Sequence, residues 1–176
     1  MKNLKFSRLF AAITFVAVLA LAGCKQPEDE TKDPVARLLT ADDAIIGTWA
    51  DDSSYNPYDG YDCLISEDKI ETASYGVHVG PVYINKVDET SGYLYYQFEN
   101  DIPGWEQING EWVQGTVPGT KGKWGAVAYK NLTVTSVNMC DMDNSEFAST
   151  LEEAKTMYTI DNERFAGLTV EWKRVK

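Results

Sequence analysis

The chain holds one histidine and three cysteines in 176 residues, and its 16 basic side chains are outnumbered by 27 acidic ones, for a net charge of −11. Each shortage excludes something. A general nucleic-acid binder needs a basic surface to neutralise phosphates, so that partner is not expected. His78 is the sole imidazole, so any Ser-His-Asp or Cys-His arrangement would have to use it, and no G-x-S-x-G is present. So few histidines and cysteines cannot make a zinc site without carboxylates. Counting Asp141 as the first position of a calcium loop puts Glu152 at the twelfth, but Glu146 stands at the sixth, where that loop needs glycine. No glycine-rich loop of the strand-loop-helix kind occurs to hold phosphate. We therefore expect no metal, no cofactor and no catalytic residue. No apolar run reaches the ~20 residues that a membrane-spanning helix needs. What is present is apolar and aromatic matter: 44% hydrophobic residues, with 5 Trp, 10 Tyr and 6 Phe, too much for a disordered chain and enough for one core.

Lys2, Lys5 and Arg8 precede Leu9–Ala22, which is apolar except for Thr14. This is the length of a signal-peptide core. It ends in Leu21-Ala22-Gly23-Cys24, which resembles the lipobox of bacterial lipoproteins. The resemblance implies a signal peptide over residues 1–23, fatty acylation of Cys24, and a bacterial envelope protein held on the periplasmic face or the cell surface. Each buried CH₂ contributes about 0.8 kcal/mol, so two or three acyl chains anchor stably where one does not. The leader removes three basic and no acidic residues, so the chain from Cys24 onward carries −14. An anionic membrane repels such a body, which leaves attachment to the lipid. Residues 24–43, broken by Pro27 and Pro34 and rich in charge, read as a flexible tether in which Val35–Leu39 forms at most a helical turn.

Residues 44–176 read as a single all-β domain, an up-and-down antiparallel barrel of about eight strands with one short helix near the C-terminus. Strands are expected at 48–52, 58–66, 69–75, 77–87, 93–99, 111–117, 123–129, 132–139 and 164–175. Within 77–87 the apolar phase moves from Val77 and Val79 to Val82 and Ile84, with Gly80-Pro81 at the break. Residues 100–110 read as a loop, and 111–117 and 123–129 as a hairpin. Thr150–Met157 is the helix, with Ser149 or Thr150 as its cap and Glu152 or Glu153 completing a capping box. Gly47-Thr48-Trp49 resembles the G-x-W that opens lipocalins. That family packs a late arginine on this Trp, which implies a structural role for Trp49 with Arg164 or Arg174. Tyr129–Val137 followed by Thr150–Lys155 is similar to a run in uncharacterised spirochaete lipoproteins, which implies an anchored single domain and no particular activity.

Cys63 and Cys140 remain once Cys24 is acylated, and an oxidising compartment makes them a candidate disulfide or two separate buried thiols. The aromatics carry the functional reading. Tyr61, Tyr96, Trp105, Trp112 and Trp124 are candidate ligand-binding residues, since a barrel of this size holds one small molecule. The first expectation is a monomeric, non-catalytic, lipocalin-like binding module for a small, partly apolar ligand. The second is an interaction protein with a packed core whose aromatic loops meet another envelope or host protein. An interior cavity of ~300 Å³ or more favours the first. A filled core with exposed aromatic tips favours the second.

Overall fold

Twelve short strands, one helix and one 3-10 turn make up the described part of a computed structural model, residues 35–51, 63–72, 75–143, 145–165 and 167–175. In chain order the strands are β1 (Arg37–Leu38), β2 (Gly47–Asp51), β3 (Cys63–Ile65), β4 (Lys69–Thr72), β5 (Gly76–Val79), β6 (Tyr83–Lys86), β7 (Gly92–Gln97), β8 (Pro103–Ile108), β9 (Glu111–Thr116), β10 (Trp124–Lys130), β11 (Ser136–Asp141) and β12 (Glu171–Arg174). Ten form one antiparallel sheet in the order β1-β6-β7-β10-β11-β12-β2-β3-β4-β5, and β8 and β9 pair only with each other. The β-rich, antiparallel expectation holds. The eight-stranded closed barrel does not, because the sheet has ten strands and ends at β1 and β5 without joining them.

The sheet nevertheless curls. β5 ends it and β7 stands third from the other side, yet the His78 ring stacks on Tyr96 at 5.3 Å. Gly80-Pro81 carries the chain from one end of the sheet to the other. The Gly80 N–H reaches the Asp68 carbonyl, and Pro81 has no N–H to extend a ladder. The expected break is there, but the inward residues do not change phase. His78, Val82 and Ile84 all point in, and Val77 and Val79 are exposed.

Several expected elements differ in extent. Residues 103–108 are a strand, not part of a loop, and β9 pairs with β8 where a hairpin with β10 was expected. Asn109-Gly110, both at positive φ, make the two-residue turn that matches strand twist. β11 begins at Ser136 and β12 covers only Glu171–Arg174, because Phe165 and Leu168 are buried within turns instead of along a strand. The domain also starts before residue 44. Arg37 and Leu38 pair with Ile84 and Tyr83 of β6, so this stretch is sheet and not a helical turn of the tether.

The core lies in two layers about β7 and β10. On the inner side Leu94 and Tyr96 stand opposite Val127 and Gly125. Gly125 is required there, because a Cβ would come within 3.0 Å of both Tyr96 and Phe98. On the outer side Ala126 and Ala128 are small enough for the helix α1 (Leu151–Met157) to approach. Thr150 caps α1 by accepting from the Glu153 N–H at 3.1 Å, and the Glu153 carboxylate accepts from the Ser149 N–H at 2.6 Å. The buried Tyr158 hydroxyl fixes its far end by donating toward the Trp124 carbonyl at 3.0 Å and accepting from the Ala148 N–H at 3.0 Å.

Candidate functional site

The β8–β9 ribbon is exposed along most of its length. Register puts Trp105 opposite Gln114 and Gln107 opposite Trp112, so both indoles and both amides share one face. The other face carries Glu106, Ile108, Glu111 and Val113. Trp105 is 64% and Trp112 68% exposed, and every residue from Trp105 to Gln114 is solvent-exposed. Two indoles held side by side in water make this face a candidate contact surface. The sequence signal for this ribbon is Asn109-Gly110 between alternating residues, which the loop reading of 100–110 passed over.

The four described aromatic candidates do not converge. Tyr96 lies in the core between His78 and Phe98. Trp124 is half-buried on β10 against Tyr83, with ring centroids 5.8 Å apart. Trp105 and Trp112 stand together on the ribbon, and Tyr61 lies outside the described residues. The cavities that stand out are modest. One of about 20 Å³ lies beside Cys63, Cys140, Met139 and Trp172. One of about 190 Å³ opens beside His78, Tyr96 and Phe98. Both fall short of the ~300 Å³ of ordinary small-molecule sites.

Trp49 is fully buried, and its indole N–H donates to the Ile45 carbonyl at 3.0 Å. Of the two late arginines, Arg174 lies over this ring, with Cζ 4.2 Å from its centroid. Its guanidinium donates to the carbonyls of Ile46 and Ala44, both at 2.6 Å, and of Val134 at 2.8 Å. It thereby ties the last strand to the approach of the first long one. Arg164 is elsewhere. It pairs with Asp143 at 2.9 Å and Glu146 at 3.2 Å, so two acids of the loop after β11 share one arginine. Among the described residues no group of three or more His, Cys, Asp or Glu could hold a metal. Cys63 and Cys140 line the same small cavity but are not bonded to each other. Burial pushes the Cys140 thiol up from its ordinary value, away from thiolate chemistry. Cys24 lies outside the described residues.

His78 is 4% exposed. Its Nε2–H donates to the Tyr75 carbonyl at 2.8 Å, and its Nδ1 has no partner among the described residues. Among the described residues no Ser or Cys side chain is hydrogen-bonded to it. No protein-family profile, curated protein or solved structure matches the chain.

Proposed function

We propose that this is a non-catalytic, lipid-anchored protein of the bacterial envelope that works by contact, presenting the β8–β9 ribbon to a partner protein. The observation that carries this reading is the pair of exposed indoles, Trp105 and Trp112, on one face of a ribbon standing apart from the main sheet. Trp is enriched where partners bind and costs little side-chain entropy on docking. The modest cavities and the dense inner layer of Tyr96, Phe98, Tyr75 and Leu94 support contact over an interior ligand site. The lipobox at Leu21–Cys24 supports the anchor, and the acidity of the body supports lipid as its means of attachment.

Two measurements test the proposal. Labelling with an alkyne fatty acid in the host is expected to mark the chain through Cys24; equal labelling of Cys24→Ala removes the anchor from the reading. Native purification from that envelope is expected to retain a partner with the natural chain and to lose it with Trp105→Ser/Trp112→Ser, whose fold is unchanged. A partner retained equally by both chains, or a co-purifying small molecule in its place, overturns the contact role.

A further inference from the structure

The β8–β9 ribbon carries a similar short motif on both strands, Trp105-Glu106-Gln107 and Trp112-Val113-Gln114. The register sets Trp105 against Gln114 and Gln107 against Trp112, so a two-fold axis normal to the ribbon exchanges the two indoles and the two carboxamides. These four side chains offer one chemistry twice, an indole beside an uncharged amide. The indoles are diagonal neighbours across the strands, and diagonal neighbours in a sheet stand about 7 Å apart. Alternate residues of an extended chain are separated by the same ~7 Å. An extended segment can therefore set two alternate side chains on the two indoles.

Charge decides what those side chains carry. From Glu99 to Thr120 the sequence has four acids, Glu99, Asp101, Glu106 and Glu111, and no basic residue. Glu106 and Glu111 stand exposed on the face opposite the indoles. Neither has an ion-pair partner among the described residues. The ribbon is one layer thick, so their field reaches the indole side over a distance comparable to the ~8–10 Å Debye length. A second copy of this chain, itself at −11, is repelled, and so are an anionic lipid surface and a nucleic acid. A basic segment is attracted. Of the two long cations, arginine suits this face. Its guanidinium is planar and weakly hydrated, stacks on indole, and brings N–H groups to neighbouring carboxamide oxygens, whereas the lysine ammonium is compact and strongly hydrated. The Gln107 amide N–H is turned to the Gly110 carbonyl at 3.5 Å, which leaves its oxygen to accept. The same stacking occurs within this chain, where Arg174 lies over Trp49 at 4.2 Å.

The geometry points to an extended, arginine-bearing protein segment as the partner of this ribbon, with two arginines at alternate positions stacked on Trp105 and Trp112 and their N–H groups donated to Gln107 and Gln114. This rests on the contact role proposed above and names the chemistry of what is contacted. The indoles hold the segment, and Glu106 and Glu111 draw it in through the longer-range field.

The indole N–H resonances report the site directly. Titration of the ¹⁵N-tryptophan-labelled full chain with a blocked octapeptide of alternating arginine and serine is expected to move the Trp105 and Trp112 indole signals saturably. The lysine-serine octapeptide should bind several-fold more weakly. The glutamate-serine octapeptide, and cellohexaose as a neutral glycan that also stacks on indoles, should leave both signals in place. Trp105→Phe/Trp112→Phe keeps a ring at each position of the hairpin and should weaken binding roughly threefold or more, followed through the ¹⁵N-labelled Gly110 amide. Glu106→Gln/Glu111→Gln should weaken it roughly threefold at low salt, a difference that disappears near 1 M salt. No saturable shift, equal binding of the lysine or glutamate peptide, tighter binding of cellohexaose, or unchanged affinity in either variant overturns the arginine partner. The contact role fails separately, if the native partner stays bound to Trp105→Ser/Trp112→Ser. A native partner lost from that variant, but whose contacting segment carries no arginine, overturns this inference alone.

Discussion

Asp43 holds the start of the sheet in place. Its side chain is 3% exposed and meets the Arg37 guanidinium at 2.6 and 2.7 Å, Lys86 at 2.9 Å, and the Thr40 N–H at 3.0 Å. The Arg37 hydrogen bond, more than Lys86 and Thr40, holds its carboxyl well below the usual carboxylate range. The unfolded chain then binds that proton more tightly than the folded one. The stability is therefore present above about pH 4 and is lost as pH falls further. Both cations are half-exposed, so removing the charge leaves them solvated, and Asp43→Asn is expected to cost about 2 kcal/mol at neutral pH. Urea unfolding of both chains checks this, with the difference shrinking at acid pH. His78 gives a second window. Burial lowers its pKa from 6.5, so stability is present above about pH 6.5 and is lost as pH falls through the lower folded value. The natural chain should lose unfolding free energy across that window, and His78→Phe should lack that slope in the same experiment.

At the scale of elements, β1 shows why local reading stopped short. Proline, charge and short length around residues 27–43 read as a spacer, since two residues of strand leave no periodicity to detect. What makes Arg37–Leu38 a strand is the open edge of β6 and the anchoring of Asp43, both set by residues far along the chain. A chain beginning at Pro34 is expected to melt with the chain beginning at Cys24. One beginning at Ala44 should melt lower by roughly 5 °C or more in calorimetry, having lost β1 and Asp43. The helix was legible in advance, because Thr150 and Glu153 form a cap from neighbours in sequence. β12 was legible as a strand but not in length, since Leu168 found burial in a turn. The ribbon was half legible. Glu111–Thr116 alternates, but its partner was hidden by Pro103 and Gly104, which punctuate loops more often than strands.

At the scale of the whole molecule, the ribbon and the main sheet are separate hydrogen-bonded units, joined through 102 and 117, where the Val117 N–H meets the Ile102 carbonyl at 2.9 Å. Replacing Trp105–Gln114 with a short Gly-Ser turn should leave the melting temperature within about 3 °C, because this segment contributes no buried core residue. A larger drop would make the ribbon a structural element. The sequence by itself determined the acidity, the antiparallel β class and the capped helix. These follow from composition, from motifs contiguous in the chain, and from contacts within a few residues. Only the tertiary structure decided that the sheet stays open with ten strands, that Arg174 and not Arg164 covers Trp49, that His78 faces inward, and that Trp105 and Trp112 share an exposed face. Each depends on which distant strands pair and in what register, and a one-residue slip reverses the face of every side chain.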